Sequence, residues 1–377
     1  MKQKILYFMP DNPMVGQAGN ITRLKQMLHY LNESDAVEAE FVSLIDWGFW
    51  NEEHRAAFTI KYPNIALHLL EKKHKKNFFK YFVLYKIPYF FKSNSIDLSS
   101  YILRKEFQKI LHSKKYDKVL VSYAAWGKII GEKDESMYTI IDTHDFLTAQ
   151  SSNKRDIGRS FRDEIEILNN FDEVWTYSVE EEYIFGQFTR PEIKTTLIPV
   201  SFPINTSKEA LHQKYDVIYV ASNNLHNIAG IKWFLKEVLP LLKDITIHII
   251  GKIGTVIGDY ENVIKYGMVD DLEDFYQHSK IAICPMLSGT GIKIKVVEAL
   301  SYGIPVVTNR RGVDGLVNKK DNGCLVTDDA KVFAEQMMRL LNDEAFYLET
   351  REKAVSYFKE NHDPKLEIEI LNRTFTT

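Results

Sequence analysis

Residues 288–307 read SGTGIKIKVVEALSYGIPVV and follow IAICPM, an apolar run that is typical of a buried strand. The loop at 288–291 contains two glycines, which let a backbone approach a ligand closely. We expect a helix from Ile292 to Ser301, ended by the glycine and proline that follow. Free N–H groups in the first turn of such a helix attract phosphate. This succession of strand, loop, helix and strand predicts a phosphate-binding unit of a parallel α/β sheet.

Strand-like runs alternate with helical patterns along the rest of the chain. They are KILYFMP, AEFVSLI, KVLVSY, YTIID, EVWTYS and TTLIPV, and then YDVIYVAS, ITIHIIG, NVIKYG, IAICPM, PVVTN and GCLVT. Strands rich in β-branched residues that alternate with helices indicate parallel sheets covered by helices on both faces. We therefore predict an α/β fold of two doubly wound Rossmann-like domains facing a central cleft, with ligands beyond the carboxyl ends of the strands.

The domain boundary is predicted from the point where this series of strands restarts. The second series begins near residue 214, after VSFPINTSKEALHQK, a polar stretch with no clear periodicity. A chain of 377 residues also exceeds what one hydrophobic core usually supports. We predict an N-terminal domain over residues 1–203, a C-terminal domain over residues 204–360, and a tail helix within residues 361–377.

Composition excludes several classes of protein. A hydrophobic content of 45% and a charged content of 26% are those of a soluble globular protein. The net charge of −3 gives no reason to expect nucleic acid as a partner. No apolar run is long enough for a membrane span, and the one at the N-terminus is too short for a signal peptide. Cys284 and Cys324 lack metal-ligand spacing and are expected to be buried thiols in a reducing compartment.

Two charged residues on the helix after the glycine-rich loop are candidates for holding a nucleotide. Lys295 and Glu298 are three residues apart and therefore share a helix face. A lysine beside a diphosphate and a carboxylate that accepts from ribose hydroxyls would suit this ligand. The alternative is that the glycines only make a tight turn and that the pair is a solvated one.

Ionisable side chains also end the strand in YTIIDTHDFL, residues 138–147. Asp142, His144 and Asp145 are costly to place at a strand end unless they meet water, a ligand or one another. We take His144 and Asp145 as catalytic candidates, because His144 could hydrogen-bond a sugar hydroxyl or a departing phosphate. The alternative is a structural Asp–His pair that caps the next helix.

Two further loops are weaker candidates. DNPMVGQAGNITR carries Gly16 and Gly19 before a helix, where the backbone could approach a sugar phosphate, although a plain flexible turn explains it equally well. VASNNLHNIAG offers the uncharged donors Ser222 and Asn227, and here the simpler explanation is a helix cap.

The second half of the chain resembles the carboxy-terminal half of family 4 glycosyltransferases, which have the GT-B fold. The resemblance lies in GTGIKIKVVEALSYGIPVV, GVDGL and NGCLVTDDAKVFAEQMMRLLND, with NNLHNIAGIKWFLKEVLPLL and YGMVDDLEDFYQHSKIAICPM upstream in the same order. In the first half, GNITRLKQML, IIDTHDF and FDEVWTYSVEE are similar more weakly. The resemblance is strong over residues 215–342, fair over 1–30 and 138–200, and absent over about 45–115.

This resemblance implies a UDP- or GDP-linked sugar as co-substrate, no other cofactor, no metal and retention of anomeric configuration. Glu298 matches a glutamate that grips the ribose, and Gly291 and Ile292 match the turn whose amides meet the diphosphate. His144 matches a histidine near the transferred sugar. The tail helix would pack back onto the N-terminal domain.

Two positions depart from the family pattern. Thr290 stands eight residues before Glu298, where the family commonly has another glutamate, and it cannot offer a carboxylate. The loop SNNLHN lacks the arginine and lysine that many members carry there. The missing positive charge is expected from one of four residues, namely Lys293, Lys295, Lys252 or Arg310.

Residues 72–92, KKHKKNFFKYFVLYKIPYFFK, contain seven lysines, eight Phe or Tyr residues and no acidic residue. A basic, aromatic helix of this kind can lie in an anionic membrane interface. The residues expected to contact the acceptor or membrane are Lys72, Lys73, Lys75, Lys76, Phe78 and Phe82. The alternative is a helix whose aromatic side packs on the sheet while its lysines face water.

These patterns together favour a metal-independent glycosyltransferase that acts on a glycan or lipid-linked acceptor in bacterial surface polysaccharide or glycolipid synthesis. We expect it in the cytoplasm, with peripheral attachment to the inner face of the membrane left open. A second hypothesis is a transferase-like subunit that binds sugars without catalysis, which Thr290 and the uncharged SNNLHN loop favour. A GT-B epimerase or phosphorylase ranks last, because the chain lacks a lysine placed for pyridoxal phosphate and a carboxylate set for epimerisation.

Overall fold

The computed structural model describes residues 2–16, 19–134, 136–151, 154–206 and 213–376. They form two compact units. The first consists of the chain as far as Tyr177, then Glu181–Ile198, and finally the tail from Ile368 onward. The second consists of Ser178–Glu180 and Pro199–Glu367. The chain thus passes to the second unit five residues before the expected boundary at 203, and part of the expected linker, 207–212, lies outside the described residues.

The first unit is built on a seven-stranded parallel sheet of order β3-β2-β1-β4-β5-β6-β7. Its strands are β1 (Gln3–Phe8), β2 (Val37–Leu44), β3 (Ile65–Leu70), β4 (Lys118–Ser122), β5 (Tyr138–Asp142), β6 (Glu173–Thr176) and β7 (Lys194–Leu197). Its helices are α1 (Gly19–Glu33), α2 (Ile45–Gly48), α3 (Glu52–Lys61), α4 (Ile87–Phe90), α5 (Tyr101–Leu111), α6 (Leu147–Gln150), α7 (Ile157–Leu168) and α8 (Val179–Phe188). A π-helical segment, Lys80–Lys86, precedes α4, and 3₁₀ segments occupy Ala124–Ile130 and Lys154–Asp156. The strand order reverses between β1 and β4, which opens a crevice at their carboxyl ends.

The second unit repeats this plan with six parallel strands of order β10-β9-β8-β11-β12-β13. They are β8 (Tyr215–Val220), β9 (Ile247–Ile250), β10 (Val263–Gly267), β11 (Ser279–Cys284), β12 (Val306–Thr308) and β13 (Cys324–Val326). The helices are α9 (Leu225–Trp233), α10 (Glu273–Gln277), α11 (Ile294–Ser301), α12 (Ala330–Asn342) and α13 (Glu344–Asn361). The last helix, α14 (Pro364–Phe375), begins in the second unit and belongs to the first unit from Ile368 onward. A π-helical segment covers Phe234–Val238, and 3₁₀ segments cover Leu239–Leu241, Lys252–Val256 and Arg310–Val313. Here the order reverses between β8 and β11.

The interior strands read as continuous apolar runs because helices cover both faces of each sheet. In β1 the side chains of Ile5–Phe8 are buried, and all four residues of β9 are buried as well. Trp126 and Trp175 are the largest fully buried side chains of the first unit. Ligand-binding side chains are therefore expected in the loops at the carboxyl ends of the strands.

The predicted fold class is confirmed: the chain is an α/β protein with two doubly wound Rossmann-like sheets. All twelve predicted strands are present among the described residues, and so is the tail helix, as α14. One strand, β3, was not predicted, because IALHLL is a short run whose leucines and alanine are also good helix formers.

Candidate functional site

The glycine-rich loop of the second unit follows β11, at the point where the strand order reverses. Gly289 and Gly291 both have positive φ angles, +103° and +68°, which glycine adopts without strain. The helix that follows, α11, begins at Ile294, so the predicted start at Ile292 is wrong by two residues. Lys293 occupies the cap position with an extended backbone, which leaves Ile292 within the loop.

Lys293 stabilises this loop and does not point its charge outward. Its side chain is buried, and its Nζ donates to the carbonyl oxygens of Gly291 at 2.6 Å and Thr290 at 3.2 Å. Burial lowers the pKa of this ammonium group. Two of the three donors of Lys293 are therefore used within its own loop, and its role as a source of positive charge for a ligand stays a prediction.

Lys295 meets the loop after β8 from the first turn of α11. Its Nζ donates to Oδ1 of Asn227 at 2.6 Å and lies 5.0 Å from the ring centre of Tyr219. Asn227 in turn donates from Nδ2 to the carbonyl oxygen of Ser222 at 3.0 Å. Burial lowers the pKa of Lys295. Three predicted donor-binding residues are thus brought together, although 68 positions separate Lys295 from Asn227 in the sequence.

The uncharged loop after β8 also caps a helix, which is the structural alternative to ligand binding. The side chain of Asn224 accepts from the backbone N–H of Asn227 at 2.9 Å and caps α9. His226 hydrogen-bonds through Nδ1 to Oγ of Ser288 at 2.8 Å, which joins this loop to the glycine-rich loop. Sequence reasoning missed His226, which lies in the first turn of α9, six residues after the end of β8.

Glu298 lies one turn along α11 from Lys295, and the two side chains contact different partners. Its Oε2 accepts from the hydroxyl of Tyr276 at 3.0 Å, and Tyr276 stacks on Tyr302 with ring centres 5.1 Å apart. Burial raises the pKa of Glu298 to about 7. The proposed solvated Lys295–Glu298 pair is therefore not what the structure contains.

Thr290 points its hydroxyl inward. Within the part of the chain that the structure describes, this buried Oγ1 has no hydrogen-bond partner. An unmatched buried hydroxyl is costly, so a ligand oxygen that met it would be favoured.

The GVDGL motif packs against the glycine-rich loop. Gly315 has a φ of +90°, and a Cβ built on it would lie 2.7 Å from Cα of Ile292. Its N–H donates to Oε2 of Glu180 at 2.9 Å. Only glycine allows this close approach, which explains why a loop distant in sequence controls the position of the turn.

Two other lysine and arginine candidates lie at strand ends with exposed side chains. Lys252 begins the 3₁₀ segment that follows β9. Arg310 follows β12 and pairs with Asp328 at 3.1 Å. Of the four residues expected to supply positive charge, Lys295 is the one bound to the loop after β8.

In the first unit, His144 follows β5 with a positive φ of +58°, a strained value for a non-glycine residue. Its ring stacks on Tyr123, which follows β4, with ring centres 4.3 Å apart. Its Nε2 lies 3.4 Å from Oδ2 of the buried Asp142. Strained residues cluster at active sites, and the catalytic role of His144 stays a prediction.

A buried chain of polar groups holds Asp142. The hydroxyl of Tyr177 donates to its Oδ2 at 2.8 Å, and Nε of Arg23 donates to the oxygen of Tyr177 at 2.8 Å. The alternative role for the Asp–His pair, capping the next helix, belongs instead to Glu164. Its carboxylate accepts from the backbone N–H groups of Leu147 at 2.9 Å and Thr148 at 2.8 Å.

Asp11 completes this edge of the first sheet. It follows β1, and Nδ2 of Asn20 donates to its Oδ2 at 3.4 Å. Burial raises the pKa of Asp11, against hydrogen bonds from Trp47 and Asn20. Sequence reasoning missed Asp11, three residues after the end of β1, and Tyr123, directly after β4, although both strands end at the reversal of strand order.

The remaining predicted residues of this unit have simpler settings. Gly19 is the first residue of α1, directly after residues 17 and 18, which lie outside the described ranges. Asp145 is half-buried in the turn after His144, where its N–H donates to the carbonyl of Thr143 at 2.7 Å. Neither setting distinguishes a catalytic from a structural role.

Within the segment 72–92, the structure divides the predicted residues into two groups. Lys72 is buried, with Nζ 5.1 Å from the ring centre of Trp47 and 4.6 Å from that of Trp126. The expectation that Lys72 contacts a membrane is therefore corrected. Lys73 is half-buried, whereas Lys75, Lys76, Phe78 and Phe82 are exposed. In the described residues, the structure has no helix long and apolar enough to cross a membrane.

Comparisons with known proteins agree with this fold. Residues 214–343 match the family described as Glycosyl transferases group 1. A protein of Klebsiella pneumoniae, described as an uncharacterized 44.6 kDa protein in the cps region, is 26% identical over 185 residues. That match spans 45% of this chain and about half, 47%, of the length of that curated relative.

Solved structures extend the likeness over both units. HepE of Anabaena, solved with UDP and glucose, matches with a TM-score of 0.71 and 14% identity over 100% of both chains. A variant of S. aureus TarM, solved with fondaparinux, α-GlcNAc-glycerol and UDP, gives the same TM-score, identity and coverage, 0.71, 14% and 100%. Sucrose-phosphate synthase of Thermosynechococcus elongatus gives 0.71 and 14% over 99% of this chain and 98% of that chain. The chain therefore has the fold of the GT-B glycosyltransferases.

Proposed function

We propose that this protein is a retaining, metal-independent glycosyltransferase of the family 4 type. It moves a hexose from a UDP- or GDP-linked sugar to a glycan or lipid-linked acceptor in the synthesis of a surface polysaccharide or glycolipid. The observation that carries this proposal is the contact of Lys295 with Asn227 where the strand order of the second unit reverses, with Glu298 one turn further along α11. Support comes from the match of residues 214–343 to glycosyl transferases and from the cps-region relative.

The donor is proposed to bind at the carboxyl ends of β8 and β11. The ammonium group of Lys295 and the N–H groups around Gly291 would meet the diphosphate, and Glu298 would accept from the ribose hydroxyls. Ionised Glu298 is the better acceptor, so donor binding favours release of the proton that burial retains. The unmatched hydroxyl of Thr290 would bind a donor oxygen in place of the usual carboxylate.

The chemistry requires stabilisation of a leaving nucleoside diphosphate and of an oxocarbenium-like sugar. Preorganised N–H groups and one ammonium group aimed at the developing charge provide that stabilisation without reorganisation at the moment of reaction. We assign His144 to the transferred sugar, with Tyr123 beneath its ring and Asp142 beside Nε2. Cys284 and Cys324 are free thiols, in keeping with the cytoplasm as the expected compartment.

One observation favours a second candidate, a subunit that binds a nucleotide sugar without catalysis. Thr290 replaces the common carboxylate, and Lys293 directs two of its donors to the carbonyls of its own loop. The SNNLHN loop also lacks the arginine and lysine of the family pattern, so the donor site has fewer charged side chains. Binding would survive this change, whereas stabilisation of the leaving group would suffer most.

Titration of the purified chain with UDP, GDP and their glucose conjugates tests both candidates, with thermal stability and product release measured together. We expect binding of one nucleotide series and slow hydrolysis of its sugar conjugate. His144→Ala should leave binding unchanged and lower turnover about 100-fold, while the exposed control His29→Ala should do neither. Binding without turnover, with acceptor glycans included, would establish the second candidate. Absence of binding to the whole panel would overturn both.

A further inference from the structure

The chain leaves β3 at the carboxyl edge of the first sheet and then presents a row of aromatic side chains to solvent. We call residues 78–91 the aromatic segment, which includes the π-helical Lys80–Lys86 and α4. No residue of these two helical pieces is buried. Phe78 is 80% exposed, Phe90 84% and Phe91 78%. The alternative weighed from the sequence, an aromatic side packed on the sheet, is therefore wrong.

Aromatic rings in this segment stack on one another and leave an apolar outer surface. Ring centres are 5.9 Å apart for Phe78 and Phe82 and 5.9 Å apart for Tyr85 and Tyr89. A soluble monomer rarely exposes a contiguous apolar surface of this kind, so such patches mark sites of interaction. The patch needs a partner that accepts large rings.

The charged residues within the aromatic segment and next to it in sequence are lysines, and Glu106 lies 3.8 Å from one of them, Lys80. Residues 72–96 contain seven lysines and no acidic residue, in a chain whose net charge is −3. Lys75, Lys76 and Lys86 are exposed. A partner that buries the rings must therefore also tolerate a dense positive surface, which selects an anionic one.

A cavity of about 240 Å³ lies at the carboxyl end of this segment. Tyr89 and Phe91 line it on the aromatic side, and Lys92, Arg104 and Lys128 line it with positive charge. Its size suits a phosphate group with part of the molecule attached to it. The cavity thus joins a cationic interior to an aromatic rim.

Positive charge inside this cavity is incompletely neutralised. Arg104 and Lys92 share one buried carboxylate, that of Asp97, with Lys92 at 3.4 Å. Lys128 pairs at 2.7 Å with Glu166, whose carboxylate is itself largely exposed to water. Burial lowers the pKa of Lys92, Asp97 opposes this shift, and the nearby charges of Arg104 and Lys128 add to it. An additional anion would therefore be stabilised there.

We infer that the aromatic segment docks on a bilayer containing anionic phospholipids and that the cationic cavity beside it receives a lipid phosphate. Phe78, Phe82, Phe90 and Phe91 enter the interfacial region, where aromatic rings partition well. The lysines face the anionic head groups. This inference rests on the proposed function and extends it, because it places the acceptor of the reaction at a lipid surface.

The location of the segment agrees with that role. Lys72, at its base, lies against Trp47 and Trp126, and burial lowers the pKa of Lys72 to about 8. Trp47 in turn hydrogen-bonds Asp11, which follows β1 at the reversal of strand order. The docking surface and the edge that carries His144 are therefore adjacent parts of one unit.

Flotation of the full chain with vesicles tests the inference, without nucleotide sugar, so that its failure is separate from failure of the proposed function. We expect binding to phosphatidylcholine vesicles that contain about 30% phosphatidylglycerol and little binding to pure phosphatidylcholine. Phe78→Ser/Phe82→Ser/Phe90→Ser should weaken binding about tenfold or more. Lys92→Gln/Lys128→Gln should weaken it about fivefold for each lysine removed, as should a rise in salt.

The controls change exposed residues elsewhere in the same unit. Tyr183→Ser and Lys61→Gln/Lys115→Gln should leave vesicle binding unchanged. Equal binding to neutral and anionic vesicles, or equal loss in the control variants, would overturn the inference. The inference would also be overturned if light scattering showed a dimer that the triple serine variant abolishes, while the protein did not bind vesicles. Protection of the cavity lysines from chemical acetylation by inorganic phosphate but not by vesicles would assign the cavity to a soluble phosphate and likewise overturn it.

Discussion

Glu298 is the residue whose ionisation couples the candidate donor site to the stability of the fold. Its pKa rises from the ordinary 4.5 to about 7 because the carboxyl group is buried. Between these pH values the folded protein keeps a proton that the unfolded chain releases. The resulting stabilisation is present at low pH, falls as pH rises from about 4.5 to about 7, and is absent above that range.

We predict that Glu298→Gln stabilises the ligand-free protein at pH 8 by on the order of 3 kcal/mol and has little effect at pH 5. The amide is neutral at both pH values, so it avoids the cost of a buried carboxylate. The same variant should bind the nucleotide sugar at least about tenfold more weakly at pH 8, because it lacks the charged acceptor. Thermal unfolding and calorimetric titration at the two pH values measure both effects.

Glu352→Gln is the control for this pair of measurements, because Glu352 is an exposed carboxylate of the same unit. It should show no difference between the two pH values. If the wild-type protein and the Glu298→Gln variant had the same unfolding temperature at pH 8, Glu298 would ionise in the folded protein without cost, contrary to the prediction.

At the scale of elements, the glycine-rich loop depends on the GVDGL loop as much as on its own glycines. The position of Ile292 is set by contact with Gly315, and Lys293 closes the loop onto the carbonyls of Thr290 and Gly291. This explains why α11 begins two residues later than its sequence pattern predicts. Helix propensity favours an earlier start, and tertiary contact decides against it.

We predict that Gly315→Ala destabilises the second unit by about 3 kcal/mol or more, because it combines an unfavourable φ with a contact of 2.7 Å to Ile292. Nucleotide-sugar affinity should fall with it, since the loop must move. Gly267→Ala is the matched control, because Gly267 also has positive φ but has no atom within 4 Å of a built Cβ. It should cost only about 1–2 kcal/mol and spare affinity. Equal effects of the two variants would remove the proposed support of the loop.

At the scale of the whole molecule, the tail of the chain is a structural part of the first unit. Phe375 is fully buried, and its ring centre lies 5.8 Å from that of Trp175 and 6.1 Å from that of Tyr30. Tyr30 also donates to Oδ1 of Asn372 at 2.9 Å. Phe375 is therefore part of the hydrophobic core of the first unit.

We predict that Phe375→Ala lowers the free energy of unfolding of the first unit by about 3–5 kcal/mol, because it leaves a cavity against Trp175. Chemical unfolding followed by intrinsic fluorescence measures this, since Trp175, which contacts Phe375, is one of the five tryptophans that contribute to the signal. Ile368→Ala, at a half-exposed position of the same helix, should cost much less. A Phe375→Ala variant as stable as Ile368→Ala would mean that the tail is not part of this core.

Local patterns were sufficient to predict much of the architecture and many positions in the candidate site. Alternation of β-branched runs with helical periodicity predicted twelve strands and the α/β class, because burial on both faces leaves a signal in each strand. Polar residues directly after strands identified Asp142 and His144, because parallel strands end at one edge. Hydrophobic pattern alone did not distinguish β3 from a helix, since IALHLL fits both.

Contacts between distant residues were decided by the tertiary structure alone. Arg23 and Tyr177 are 154 positions apart, and Lys295 and Asn227 are 68 apart, yet each pair is in hydrogen-bond contact. These contacts depend on which strands are neighbours, and the pattern within a strand carries no information about its neighbour. For the same reason, only the fold shows that Lys72 is buried whereas Phe78 is exposed. By composition, both residues belong to one basic aromatic segment. Their burial differs because Lys72 packs against Trp47 and Trp126.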